Sequence, residues 1–144
     1  MRKAAAYLRR NKVIICPVSD TTDGVGVICA PVFDLEASDV SGVGAAVLEA
    51  LQLSREGIPH PAPADWSKLF KPVLKAAGVG SWKTFVRSTK DVIVRFETNR
   101  IVYIPTRNLG SRNGFVPLPE KERSSAPMAA EVGPALLAAF GDAE

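Results

Sequence analysis

The stretch KDVIVRFETNRIVYIPTR, residues 90–107, contains the strongest secondary-structure signal in the chain. β-branched and aromatic residues form two runs, 91–97 and 100–105, and the Thr98–Asn99 step between them favours a tight reversal. In the first run Val92, Val94 and Phe96 share one face, and Ile93, Arg95 and Glu97 share the other. This pattern predicts a β-hairpin in a half-solvated sheet.

A second hairpin is predicted nearer the N-terminus. The segments KVIICPVS (12–19) and GVGVICAPVFDL (24–35) are β-branched and apolar, and the linker DTTDG between them is rich in turn residues. Proline cannot donate a ladder hydrogen bond, so Pro17 and Pro31 are expected toward strand ends or edges. Residues 3–10 are ambiguous, because their alanines favour a helix whereas the short Asn-Lys step that follows favours a third strand. We expect a strand.

Three further segments have helical patterns. Residues 39–57 carry apolar side chains at helical spacing. Residues 65–78 predict a second helix that is kinked, or broken into two short helices, at Pro72. The alanine-rich residues 126–141 predict a third helix, interrupted near the Gly-Pro step at 133–134.

The size and composition of the chain limit its class. Its 144 residues can bury a core without disulfides or metals, and 47% hydrophobic with 23% charged residues is ordinary for a soluble globular protein. No apolar run approaches the roughly 18 residues that cross a bilayer. Arg9, Arg10 and Lys12 interrupt the N-terminal apolar stretch before it could serve as a signal peptide. We expect a cytoplasmic protein with no membrane partner.

These elements together predict the fold class. We expect an α+β fold and a single domain over residues 1–144, in which a mixed or antiparallel β-sheet of hairpins packs with about three helices.

Cysteine and histidine usage argues against a metal or cofactor site. Cys16 and Cys29 lie in apolar runs and form no CxxC pair, and the one histidine, His60, stands in a proline-rich linker. No zinc-ligand spacing results. We expect buried, reduced thiols, and a disulfide stays open if the two runs pair as neighbouring strands. We expect no metal and no cofactor.

No arrangement of residues indicates catalysis. The steps DGVGV and SGVGA lack the GxGxxG and GxxxxGK[ST] spacings of nucleotide-binding loops, so we expect their glycines to serve turns or close helix packing. The pairs Asp20/Asp23 and Asp34/Glu36 lack a partner histidine or a metal-ligand spacing, and a solvated acidic edge is expected there. No GxSxG elbow is present. The chain is predicted not to be an enzyme.

Charge is segregated along the chain behind its net +3. Residues 1–12 sum to +5, whereas residues 13–67 contain Arg55 against eight acidic residues and sum to −7. Residues 68–123 sum to +8, and the tail from 124 sums to −3. Such asymmetry is information about partners rather than about the fold.

The basic C-terminal half allows an alternative function. Aromatic residues are interleaved with its basic ones, which permits a small nucleic-acid-binding module. No RNP-like, GXXG or zinc-knuckle pattern accompanies them, so a solvated basic face is favoured.

The segment AAGVGSWKTFVRSTK, residues 76–90, joins the second predicted helix to the central hairpin. Trp82 and Phe85 are large side chains for such a connection, and both a binding role and a structural role are open. We expect Ser81, Trp82 and Phe85 to hold the helix on the sheet, with Trp82 filling the junction.

The order of several short motifs resembles a known family. TTDGVG is followed by a Gly-led helix ending in ALQLSR, a proline-rich linker, GSWKTF, a hairpin ending in IPT, and NGF. In this order, over roughly residues 12–116, they resemble the CdiI-type immunity proteins of contact-dependent growth inhibition systems. The resemblance implies a small cytoplasmic protein that binds and neutralises the C-terminal toxin domain of a cognate CdiA protein. Such toxins are often nucleases, and the family has no catalytic residues to transfer.

The resemblance itself assigns no toxin contacts, since immunity proteins diverge at that surface, but charge complementarity predicts them. A nuclease cleft must be positive enough to attract phosphate, and an inhibitor that presents carboxylates there gains association rate and specificity. The predicted toxin-binding residues are therefore Asp20, Asp23, Asp34, Glu36 and Asp39. They form two clusters at the two ends of one strand, so a single interface is expected to use one cluster.

Overall fold

The computed structural model describes residues 1–144 and contains one eight-stranded sheet. The strands are β1 (Arg2–Arg9), β2 (Lys12–Asp20), β3 (Gly26–Ile28), β4 (Phe33–Glu36), β5 (Thr89–Glu97), β6 (Arg100–Asn108), β7 (Phe115–Pro117) and β8 (Arg123–Ser125). At its centre β1 lies between β2 and β5, and β5 pairs with β6. β3 and β4 pair with β2, while β7 and β8 pair with β6. Every strand pair is antiparallel, and the α+β class is confirmed.

Four α-helices and two short 3₁₀ helices surround the sheet. They are α1 (Val40–Leu53), α2 (Lys71–Ala77), α3 (Trp82–Val86) and α4 (Ala129–Asp142), with 3₁₀ turns at Pro63–Lys68 and Pro119–Lys121. The helices α1 and α4 cover one face of the sheet, which we call the first face, and build the larger apolar cluster there. The helices α2 and α3 cover part of the opposite, second face. None of the helices is long and apolar enough to span a membrane.

The two central strands form as the sequence predicts. β5 and β6 pair in register through Val94 and Tyr103, and the reversal falls at Thr98 and Asn99, which both have positive φ. β1 is a strand, as expected, despite its three alanines. Ala4 and Ala6 are buried in the cluster beneath α1 and α4, where small side chains let the helices approach the sheet.

The second strand of the N-terminal hairpin differs from the prediction. Residues 24–35 form two strands, β3 and β4, on either side of a cis Ala30–Pro31 peptide bond, instead of one. Both still pair with β2, so the register of the predicted hairpin is interrupted opposite Cys16 and Pro17. Pro17 therefore lies inside β2 at the place where the neighbouring strand is broken, which removes the need for a ladder donor there.

The helix α4 also corrects a prediction, because it runs without interruption through Pro134. Its buried residues Val132, Leu136 and Phe140 lie four apart and pack in the main core, which holds the turn around the proline in helical form. Two glycines bring α1 and α4 close together. A methyl group at Gly44 would overlap the α4 backbone, and one at Gly133 would overlap the α1 backbone. The expected role in close packing is confirmed for Gly44 of SGVGA, whereas Gly42 lies against the capping side chain of Asp39.

The segment 63–88 forms more helix than predicted. Residues 65–78 break into a 3₁₀ helix and α2 just before Pro72, as one of the two expected outcomes. The five-residue helix α3 was not predicted. Ser81 caps it, since its hydroxyl accepts a hydrogen bond from the Thr84 backbone N–H at 3.2 Å.

Candidate functional site

The aromatic residues of α2 and α3 form a cluster on the second face of the sheet. The Trp82 ring lies 4.4 Å from Phe70, 5.5 Å from Phe85 and 6.3 Å from Phe115, measured between ring centroids. Phe85 is fully buried and meets Tyr7 of β1 edge-on at 5.3 Å. Trp82 packs between Phe70, at the start of α2, and Phe85 of α3, so the second predicted helix is held on the sheet through α3. Phe85 rather than Trp82 fills the junction. Trp82 is only half-buried.

The first predicted acidic cluster lies at the C-terminal end of β2. Asp20 forms an ion pair with Lys3 of β1. Asp23 lies in the loop between β2 and β3, and its carboxylate is 3.6 Å from the His60 Nδ1. That nitrogen is also 2.9 Å from the Thr21 hydroxyl. The Asp23 side chain is 64% exposed, so this loop presents its carboxylate to solvent.

The second acidic cluster lies at the opposite end of β2, about 26 Å away for a strand of this length. The Asp34 carboxylate accepts a hydrogen bond from the Lys12 ammonium at 3.2 Å. Asp39 caps α1, since its Oδ1 accepts from the Gly42 backbone N–H at 3.1 Å. Glu36 is exposed, forms no ion pair, and lines a cavity of about 290 Å³ together with Arg9 and its basic neighbours.

The structure mixes the charges that are separate along the sequence. The basic strand β1 and the turn after it lie directly beside the acidic segment, because β1 pairs with β2. Lys3 thus neutralises Asp20, and Lys12 neutralises Asp34. Both ends of β2 are therefore nearly balanced in charge, with Asp23 and Glu36 as their most available carboxylates. The sum of charges along the sequence could not predict this neutralisation, because it depends on the pairing of β1 with β2.

The basic C-terminal half is also partly neutralised. Arg107 and Lys121 both pair with Glu144, at 2.8 and 2.6 Å, and Arg123 pairs with Asp142 at 2.6 Å. The hydrogen bond from Lys121, assisted by Arg107, lowers the pKa of Glu144, and the hydrogen bond from Arg123 lowers that of Asp142. The tail after residue 124 therefore supplies counter-charges for this surface.

The aromatic residues of that half are poorly placed to stack on bases. Phe85 and Tyr103 are fully buried, and the Tyr103 hydroxyl is 2.8 Å from the Ser125 hydroxyl. Base recognition by single-strand binders needs exposed aromatic faces. This arrangement favours the solvated basic face over a nucleic-acid interface.

Both cysteines are free thiols, although their segments do pair as neighbouring strands. Cys16 is buried, and burial raises its pKa to about 12. Cys29 is partly exposed, and its sulfur lies 3.6 Å from the Val27 carbonyl. No group of three or more histidine, cysteine or acidic side chains is placed to hold a metal ion.

A buried carboxylate that sequence reasoning missed lies on the second face. Asp91 of β5 is 8% exposed, stands opposite Tyr7 of β1, and forms no ion pair. Burial raises the pKa of Asp91 to about 7, against a smaller opposing effect of the Thr106 hydroxyl. Arg95 and Glu97 lie on the same face of β5 as Asp91, so the sequence pattern predicts that this face is exposed to solvent.

Asp91 lines a cavity where the cover of α2 and α3 ends. The cavity has a volume of about 280 Å³. Its walls are mostly apolar and come from four strands, with Ala5, Val18, Ile28 and Ile93 among them. Only part of the second face is thus covered by helices, and the carboxylate lies at the boundary.

Solved structures of other proteins share this fold. A chain of the CdiA-CT/CdiI toxin and immunity complex from Yersinia pseudotuberculosis aligns with a TM-score of 0.79 and 13% sequence identity, over 99% of this chain and 97% of that one. A protein of unknown function from Neisseria meningitidis aligns with a TM-score of 0.76 and 16% identity, over 99% and 95% of the two chains. No protein-family model matches the chain, and no curated protein matches it in sequence. The resemblance to CdiI-type immunity proteins is thus confirmed at the level of the fold, which this chain shares almost from end to end with a chain of a toxin and immunity complex.

Proposed function

We propose that this protein is an immunity protein that binds and neutralises the C-terminal toxin domain of a cognate CdiA protein. The observation that carries the proposal is the alignment, over 99% of the chain, with a chain of a CdiA-CT/CdiI complex. In this proposal the protein acts in the cytoplasm, forms a heterodimer with the toxin domain and blocks its active site. It performs no catalysis of its own.

The proposed target is a nuclease, and the proposed contacts are acidic. A cleft that binds phosphate carries positive potential, so carboxylates on the inhibitor accelerate association and disfavour wrong partners. Asp23 supports this role for the first cluster, because it is exposed at a loop tip beside the exposed Val25. Glu36 supports it for the second cluster, because it is exposed and forms no ion pair. The two clusters lie at opposite ends of β2, so one of them is proposed to meet the toxin.

Amide substitutions test the acidic contact with little change of shape. One variant carries Asp20→Asn and Asp23→Asn, and another carries Asp34→Asn, Glu36→Gln and Asp39→Asn. Asparagine caps helices as well as aspartate does, so α1 keeps its cap in the second variant. We expect one of the two variants to associate with the toxin domain about tenfold more slowly, with the difference shrinking at high salt.

Glu49→Gln is the matched control, since Glu49 is exposed on α1 and forms no ion pair. It should bind like the wild type, and circular dichroism should show the same fold in all variants. If both cluster variants bind with unchanged rate and affinity, the acidic contact is wrong, and the toxin meets another surface.

A further inference from the structure

The cavity beside Asp91 is open to solvent and adjoins the first acidic cluster. Lys3 and Gly26 lie at its rim, and the Lys3 ammonium pairs with Asp20 at that position. The cavity therefore continues the surface that carries Asp20 and Asp23. With about 280 Å³, it approaches the lower size limit of small-ligand pockets, roughly 300 Å³.

The Asp91 carboxylate has no counter-charge within the protein. Lys3, the one cation that lines the cavity, is engaged by Asp20. The other titratable groups facing Asp91 are Tyr7 of β1 and Cys16 of β2, and burial raises the pKa of both, so they are neutral near pH 7. From β6, the Thr106 hydroxyl donates to the Asp91 backbone carbonyl at 2.7 Å.

A buried carboxylate without a counter-charge costs folding free energy. Groups of this kind, held in a cleft, are typical of functional sites. A positively charged group at the end of an apolar side chain would pair with the Asp91 carboxylate and remove this cost. Its walls, which include Val18, Ile28 and Ile93, suit the methylene groups of a lysine or arginine side chain.

We propose that this cavity receives a lysine or arginine side chain of the cognate toxin domain, whose charged end pairs with Asp91. The inference rests on the proposed function and adds to it a single anchoring contact at the centre of the interface. It also selects the Asp20/Asp23 end of β2 over the Asp34/Glu36 end.

The test measures binding of the toxin domain to the wild type, to Asp91→Asn and to the control Glu49→Gln between pH 5.5 and 8.5. Where the adjacent upstream reading frame encodes a large secreted protein, the C-terminal domain of that protein, inactivated by substitution, is the probe. Removing one partner of a buried charge pair should weaken binding at pH 8 by about thirtyfold or more. The control should bind as tightly as the wild type.

The pH dependence supplies a second readout. Because Asp91 must be ionised to pair with a cation, the affinity of the wild type should fall as the pH drops below about 7. The advantage of the wild type over Asp91→Asn should shrink in the same range. In carboxyl ¹³C spectra, the pKa of Asp91 should be lower in the complex than in the free protein, whereas a purely structural role would leave it unchanged.

The toxin side chain is identified by a double-mutant cycle. Each lysine and arginine of the toxin domain is replaced by alanine and measured against the wild type and Asp91→Asn. One replacement should weaken binding to the wild type but have little further effect on Asp91→Asn.

The outcomes separate the two claims. If the wild type binds the toxin domain and Asp91→Asn binds equally well across the pH range, the anchoring contact is overturned and the proposed function stands. If the wild type itself does not bind, the proposed function fails and the anchoring contact fails with it.

Discussion

Replacing Asp91 by asparagine should stabilise the free protein, and the gain should depend on pH. The carboxyl group is buried without a counter-charge, and its pKa rises from 3.8 to about 7 on folding. Between these values the folded state holds a proton that the unfolded state has released. The wild type therefore loses stability as the pH rises from about 4 to about 7, and above 7 it carries the full cost of a buried charge.

The size of the effect follows from that difference in pKa. One pKa unit corresponds to about 1.4 kcal/mol, so a rise from 3.8 to about 7 corresponds to about 4 kcal/mol. Asparagine is nearly the same shape and stays neutral at every pH. At pH 8.5 we expect Asp91→Asn to be more stable than the wild type by up to about 4 kcal/mol. At pH 4, where both side chains are neutral in the folded state, the difference should approach zero.

Urea denaturation at pH 4, 5.5, 7 and 8.5 measures these free energies of unfolding. Glu49→Gln is the control, because it removes an exposed carboxylate that forms no ion pair and should change stability by less than about 0.5 kcal/mol throughout. A variant that is less stable than the wild type at pH 8.5, or a gain that is the same at every pH, would refute the assignment of Asp91 as an uncompensated buried charge.

Two further predictions concern the helices. Phe85→Ala should destabilise the protein by about 3–5 kcal/mol and Trp82→Ala by about 2 kcal/mol, because Phe85 is fully buried and Trp82 is only partly buried. The opposite order in urea denaturation would show that Trp82, not Phe85, fills the junction between helix and sheet. Gly133→Ala should cost at least about 2 kcal/mol, since its methyl group would overlap the α1 backbone. Its control Gly141→Ala, on the same helix with open space around it, should be neutral or stabilising by up to about 1 kcal/mol, and equal thermal midpoints for the two variants would contradict the close packing of α1 and α4.

The elements that could be predicted from sequence are those specified by local pattern. Alternation in residues 91–97 identified β5, and the Thr98–Asn99 step located its turn. The absence of a phosphate-binding spacing around SGVGA predicts that its glycines serve turns or close helix packing, and Gly44 has the packing role.

The features that were missed depend on contacts between distant segments. The break between β3 and β4 is possible because both strands pair with β2, and α4 continues through Pro134 because its apolar residues are held in the core. The same applies to the candidate site. Asp91 lies in a cavity at the edge of the part of the second face that α2 and α3 cover, and nothing within β5 itself indicates where that cover ends.

The central claim is tested most directly by growth of cells that produce the C-terminal domain of a large secreted protein encoded directly upstream of this chain, with and without this chain. We predict that the toxin domain alone stops growth and that co-production of this protein restores it, with the two chains purifying as one heterodimer. Comparing how well Asp91→Asn and Glu49→Gln restore growth, when both are produced at equal levels, would then measure the contribution of the proposed Asp91 contact. If the toxin domain stops growth equally with and without this protein, then this protein is not the immunity protein of that toxin.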